Sequence, residues 1–252
     1  MGIRLDSLVQ YADRLLRHGG VGDWPGARNG LQLENGGRVT RIAAAVDAHE
    51  GTIRMALSVG ADLLVVHHGL FWSELVPITG PCYRKLEAAI RGGLAVYSSH
   101  LPLDLHPTIG NNVLLCRALG LGVGRPFFEE KGAKVGRLVV TRVGRDALVS
   151  RMRAALGGAA RVAGAGPTTC RRIGVVSGAA GDAVARAVAE GIDTLITGEG
   201  AHWTHGLAVE LGVNILYGGH YATETFGVKA LAARMGRRFR LPWEFLDAPS
   251  GL

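Results

Sequence analysis

The segment Arg41-Ile-Ala-Ala-Ala-Val46-Asp47, with its continuation Gly60-Ala-Asp62-Leu-Leu-Val-Val66-His67-His68-Gly69, aligns without a gap on a second segment of the same chain. That segment is Arg172-Ile-Gly-Val-Val-Ser177, continued by Gly191-Ile-Asp193-Thr-Leu-Ile-Thr197-Gly198-Glu199-Gly200. Each copy opens on a short apolar run and passes through a helical stretch, Thr52 to Val59 or Ala183 to Ala189. Gly60 or Gly191 stops that stretch, and a second apolar run follows Asp62 or Asp193. This is a βαβ-type unit written twice. A further pair extends the match: Gly93 to His100, with Asp104 four residues on, against Gly212 to His220, with Glu224 four residues on. The comparison sets His100 against His220. Strands alternating with helices in both copies predict an α/β fold with mainly parallel or mixed sheets covered by helices, its two related halves facing one another.

Around the repeat the chain is simpler. Leu5, Leu8, Val9, Ala12, Leu15 and Leu16 recur at helical period and His18-Gly-Gly ends the pattern, which predicts an amphipathic N-terminal helix. A Gly/Pro-rich loop follows, in which Asp23, Asn29 and Gln32 either edge a pocket or make turns. Between the copies, Gly136 to Thr141 reads as a strand, Asp146 to Leu156 as a helix and Ala160 to Ala163 as a short strand. The expected organisation is a first repeat with its helix over 1–125, a connector without inserted domain over 126–168, and a second repeat over 169–252.

Composition bounds the function classes. With 48% hydrophobic and 19% charged residues, 252 residues suffice for a substantial core. No apolar run reaches the roughly 20 residues that cross a bilayer and the start lacks a signal-peptide pattern, so a cytoplasmic location is expected. Cys82, Cys116 and Cys170 are widely spaced and read as small buried hydrophobes. The net charge of +7 is carried almost wholly by arginine, since Lys85, Lys131, Lys134 and Lys229 are the only lysines. Arginine suits phosphate and carboxylate, which places an anionic small-molecule substrate ahead of nucleic acid as the expected partner.

The strand ends of an open α/β sheet are where ligands sit, and here they are rich in metal-ligand types. The first copy supplies His67-His68, then His100 with Asp104; the second supplies Glu199, then His220 with Glu224. Imidazoles and carboxylates without thiolates suit zinc, iron, manganese or nickel. Asp104 and Glu224 are candidate bridges between two cations. A plainer account exists for each. Adjacent histidines on a continuing strand point to opposite faces, one core and one surface, and the two carboxylates suit helix starts. The repeat and the two His-x-x-x-Asp/Glu pairs weigh towards the metal. His100 could line the site or shuttle a proton, and Glu199 could act as a supporting group or general base. His49, His106, His202 and His205 stay outside the primary set.

Asn29-Gly-Leu-Gln, Val66-His67-His68-Gly, His100-x-x-x-Asp104, Gly110-Asn-Asn, Ser177-Gly-Ala-Ala-Gly-Asp182, Thr197-Gly-Glu199 and Gly219-His220-Tyr-Ala-Thr-Glu224 occur in this order. By them the chain resembles the dinuclear metal centre proteins of the NGG-interacting-factor-three-like family, whose members often carry the name GTP cyclohydrolase I type 2 homologue. The resemblance implies a duplicated, intertwined α/β fold, a homohexameric ring, and two divalent metal ions (zinc, iron or manganese) in a site between the two halves. It also implies His67, His68, Asp104, His220 and Glu224 as the ligands, with no residues assigned to the substrate. The expected function is metal-dependent hydrolysis of a nucleotide or other phosphorylated small molecule. The alternative is a ring-forming, metal-stabilised binding protein for nucleic acid or a protein partner.

Overall fold

The computed structural model describes residues 2–72, 77–158 and 160–251. Strand β1 (Ile3–Arg4) leads into helix α1 (Leu5–Leu16), which buries Leu5, Leu8, Ala12 and Leu16 at the spacing that predicted it. There follow β2 (Gly30–Leu33), β3 (Arg38–Val39), β4 (Ile42–Asp47), α2 (Glu50–Ser58), β5 (Leu63–His68), α3 (Gly80–Arg91), β6 (Ala95–Ser98) and α4 (Leu101–Asp104). The middle of the chain forms α5 (Asn111–Ala118), β7 (Arg125–Glu130), β8 (Ala133–Gly144), α6 (Arg145–Leu156) and β9 (Arg161–Gly164). The second copy supplies β10 (Thr169–Val175), α7 (Val184–Ala189), β11 (Thr194–Thr197), α8 (Thr204–Glu210) and β12 (Asn214–Tyr217), and the chain closes with α9 (His220–Phe239) and β13 (Trp243–Phe245).

Two compact units result. The first comprises residues 1–103 with 227–248, the second residues 104–226 with 249–252. These boundaries fall elsewhere than the expected 125 and 168. Residues 104–125 count with the second unit, and the stretch expected as a connector contributes β7, β8 and β9 to the second sheet. The reason is edge satisfaction: the three parallel strands of the second repeat would otherwise expose backbone donors and acceptors at both margins. The late strand β13 returns to the first unit by pairing with β4.

In the first unit the sheet order is β13-β4-β5-β6-β2, parallel except for the antiparallel edge β2. In the second it is β7-β8-β10-β11-β12-β9, with β10, β11 and β12 parallel and the rest antiparallel. Apolar side chains fill the space between sheet and helices: Ala43, Ala45, Leu64, Val66 and Val96 against Ile53, Ala56 and Ala89 in the first. In the second, Ile173, Val175, Ile196 and Leu216 meet Leu115, Leu148 and Met152. Cys116 and Cys170 lie in that core, and burial pushes the Cys116 thiol up to about 12, which makes it an inert hydrophobe. No helix among the described residues is long and apolar enough to cross a membrane.

The duplication survives in detail. Asp62 accepts the backbone N–H groups of Thr40 and Arg41 at the mouth of β4, and Asp193 accepts those of Arg171 and Arg172 at the equivalent turn before β11. Gly60 and Gly191 both sit at positive φ, +70° and +83°, where a side chain would be strained. The ladders also correct the sequence alignment. Val66 pairs with Ser98 and Thr197 with Tyr217, so counting from these strand ends sets His100 against Gly219; His220 is one residue further on, the first residue of α9.

Candidate metal centre

Strand β5 ends on His67 and His68. Opposite faces would have separated them, yet the chain leaves the strand at this point and the two rings stand 4.8 Å apart, centroid to centroid. His100, in the turn after β6, lies 4.8 Å from His67 and 5.6 Å from His68. A ring nitrogen from each of these three histidines lies within 4.8 Å of the others, close enough to serve one ion. His67 is fully buried and His100 nearly so.

What orients the rings is as informative as their closeness. His67 Nδ1 lies 2.9 Å from the Ser99 carbonyl, His68 Nδ1 2.8 Å from Asp47 Oδ1, and His100 Nδ1 2.8 Å from Asp23 Oδ1. A carbonyl or carboxylate oxygen only accepts, so each Nδ1 carries the proton and Nε2 is the basic nitrogen. That is how metal-binding histidines are held: the outer acceptor sets the tautomer and raises the basicity of the inner nitrogen. The sheet explains the Asp47 contact directly, since the β4–β5 register pairs Asp47 with His68.

Asp23 is held more tightly still. Its carboxylate accepts from the Trp24 and Leu101 backbone N–H groups and from the Asn29 side chain as well as from His100, while Asn29 Oδ1 takes the His100 N–H at 2.7 Å. Burial works to raise its pKa, and the hydrogen bonds from His100, Asn29 and Trp24, with the His100 charge, outweigh it and bring it below the ordinary value. Gln32, the third polar residue of this loop, donates to the Ala27 and Arg28 carbonyls and accepts from Leu70 N–H, bracing the turn that follows His68.

The second unit carries its own cluster. His220 opens α9 and Glu224 follows one turn later, on the same helix face. His220 Nε2 is 3.1 Å from Glu224 Oε2, and His220 Nδ1 is 2.8 Å from Glu199 Oε1. Burial lowers the His220 pKa, yet the hydrogen bonds and charges of Glu224 and Glu199 outweigh it and lift the imidazole to about 9. Glu224 is 3% exposed. Gly178, at φ +69°, lies against its carboxylate, and a Cβ there would strike Oε1. The Gly178 N–H is taken by Thr223 Oγ1 and its carbonyl by Thr197 Oγ1, which accounts for the Ser177-Gly and Thr197-Gly motifs. Asp104, at the end of α4, is buried and accepts from Asn111 Nδ2 at 2.8 Å; the neighbouring Asn112 bridges Ser177 N–H and the Val135 carbonyl.

His67, His68 and His100 thus form one cluster, and His220, Glu224 and Glu199 another. The donor set, imidazole and carboxylate without thiolate, fits a divalent transition metal. Asp47 was missed in the sequence. The available signal was a carboxylate ending the first apolar run, one strand over from His68. Three of the four histidines left out of the primary set behave differently: Nδ1 of His49, His106 and His205 accepts backbone N–H groups.

A family model described as Duf34/NIF3 (NGG1p interacting factor 3) matches residues 3–249. A protein of Deinococcus radiodurans named GTP cyclohydrolase 1 type 2 homolog is 43% identical over 98% of this chain and 94% of its own length. One of the same name from Archaeoglobus fulgidus is 36% identical over 99% of this chain and 100% of its own. Among solved structures, TTHA1606 from Thermus thermophilus superposes with a TM-score of 0.90 at 40% identity, covering 99% of this chain and 100% of that one. With the family model spanning almost every residue and the same α/β architecture in a solved relative, the chain belongs to the Duf34/NIF3 family.

Proposed function

We propose that this protein is a dinuclear metal-dependent hydrolase acting on a nucleotide or another phosphorylated small molecule, with His67, His68, Asp104, His220 and Glu224 as ligands. The observation that carries the reading is the common anchoring of four histidines, His67, His68, His100 and His220, each with Nδ1 bound to an oxygen acceptor. The name of the relatives, GTP cyclohydrolase 1 type 2 homolog, supports the nucleotide class. Two bound divalent ions, of zinc, iron or manganese, would activate a water and offset the charge of an anionic substrate. The chain's own part is to hold and to orient. Ser99 and Asp47 turn Nε2 of His67 and His68 inward, Glu199 does the same for His220, and Asp104 and Glu224 supply carboxylate oxygens. His100, steadied by Asp23, is the proton carrier, at Nε2. Glu199 acts through His220 and is a positioning residue. A cytoplasmic protein in a hexameric ring completes the reading.

The test is metal content by elemental mass spectrometry on protein purified without added metal, beside a His67→Ala/Glu224→Ala double variant, with light scattering for the assembly. The expected result is about two transition-metal ions per chain, absent from the variant, and phosphoester or GTP turnover lost with them. Turnover that persists in metal-free protein overturns the hydrolase reading.

A further inference from the structure

The first unit contains a cavity of about 910 Å3 beside the histidine cluster but not lined by it. Its size is that of a site for a small organic ligand. Two features give it chemistry. Phe71 and Trp72 line it with 42% and 41% of their surfaces exposed, and Trp72 is also the wall it shares with the cluster: its ring is 4.6 Å from that of His100 and 5.2 Å from that of His68. Adjacent aromatics held open to solvent beside titratable groups suit stacking with a planar ring.

The polar groups of the lining favour an anion. Arg28 and Lys85 are cationic. His49 uses Nδ1 to accept the Gly51 and Thr52 N–H groups, so its proton is on Nε2, available as a donor. The lining carboxylate, Glu50, is bound by Arg54 through one oxygen and Arg84 through the other, which offsets its charge. Arg28 is also held at φ +43°, a conformation disfavoured for any residue but glycine, while Gln32 grips its carbonyl.

We propose that this cavity seats an aromatic anion of the nucleoside monophosphate class, its ring stacked on Trp72 and Phe71 and its phosphate met by Arg28 and Lys85. The proposal rests on the hydrolase reading for its meaning as the substrate's seat, but the binding itself needs no metal. Isothermal titration of metal-free protein with GMP, guanosine and ribose 5-phosphate tests it. GMP saturates at one per chain, and the other two bind at least about tenfold more weakly, each lacking one of the two recognised groups. Trp72→Ala weakens GMP about tenfold and Trp72→Phe restores most of the loss. Lys85→Met weakens GMP while leaving guanosine unchanged. Absence of saturable GMP binding, or GMP binding indifferent to both Trp72→Ala and Lys85→Met, overturns the proposal. Protein that takes up two metals without binding GMP sinks this inference alone; protein that binds GMP but no metal sinks the hydrolase reading alone.

Discussion

The two copies of the repeat share a scaffold and differ at its working end. Both carry the Asp that accepts two backbone N–H groups at the neighbouring strand, the positive-φ glycine after the helix and three parallel strands in the same order. At the strand ends, where the ladders make positions equivalent, the first copy has Asp47, His67, His68 and His100 and the second has Gly178, Gly198, Glu199 and Gly219. The glycines make room. A Cβ at Gly198 would stand 2.6 Å from His220 Cα, and one at Gly178 would strike the Glu224 carboxylate. The second copy gives up imidazoles on its strands so that the start of α9 can press close and bring His220 and Glu224. Duplication has kept what folds and altered what binds.

The largest effect that would sharpen this contrast is a pH dependence arising in the second copy. The His220 pKa is about 9 in the metal-free fold against 6.5 ordinarily, because Glu224 and Glu199 outweigh burial. The stabilisation by the proton is complete below about 6.5 and lost as pH rises through 9. A metal has to displace that proton, so affinity at this position should rise about 50-fold between pH 7 and 9 in competition titrations with a chelator. Glu199→Gln should flatten the slope; a wild-type affinity constant over that range would dismiss the idea.

Next come the outer acceptors. Asp47→Asn in the first copy and Glu199→Gln in the second should each cost about 10- to 100-fold in metal affinity at pH 8, with stability little changed. An unaltered affinity would mean that Nδ1 anchoring is structural only. The glycines break the comparison from the other side: Gly198→Ala should destabilise the protein by about 1–3 kcal/mol in urea unfolding, through the clash with the start of α9. A neutral result would show that α9 can shift to accept the first copy's bulk. The smallest effect belongs to the shared scaffold. Asp62→Asn and Asp193→Asn should each cost about 1 kcal/mol and agree within experimental error, since each accepts two backbone N–H groups at the same turn.

Much of this was legible along the chain. The apolar runs, their glycine stops and the α1 period are local signals, and the observed elements follow them closely because the βαβ unit is built from near neighbours. The residue types at the strand ends were equally visible. The alignment of His100 with His220 failed because matching side chains is not matching hydrogen bonds; the ladder counts backbone positions and places His220 one step on. The elements between the copies were legible too, but nothing local in residues 126–168 tells that they complete the margins of a sheet whose centre is formed later in the chain.

The sequence by itself determined the repeated βαβ frame and the stock of imidazoles and carboxylates carried at the strand ends. The tertiary structure alone decided which nitrogen each histidine offers. Asp23 and His100 are 77 positions apart, His67 and Ser99 are 32, and Asp47 and His68 are 21, as are Glu199 and His220. A hydrogen bond of that kind exists only once the strands are in register and the turns closed, because its geometry must be met within a few tenths of an ångström by groups that no local pattern couples.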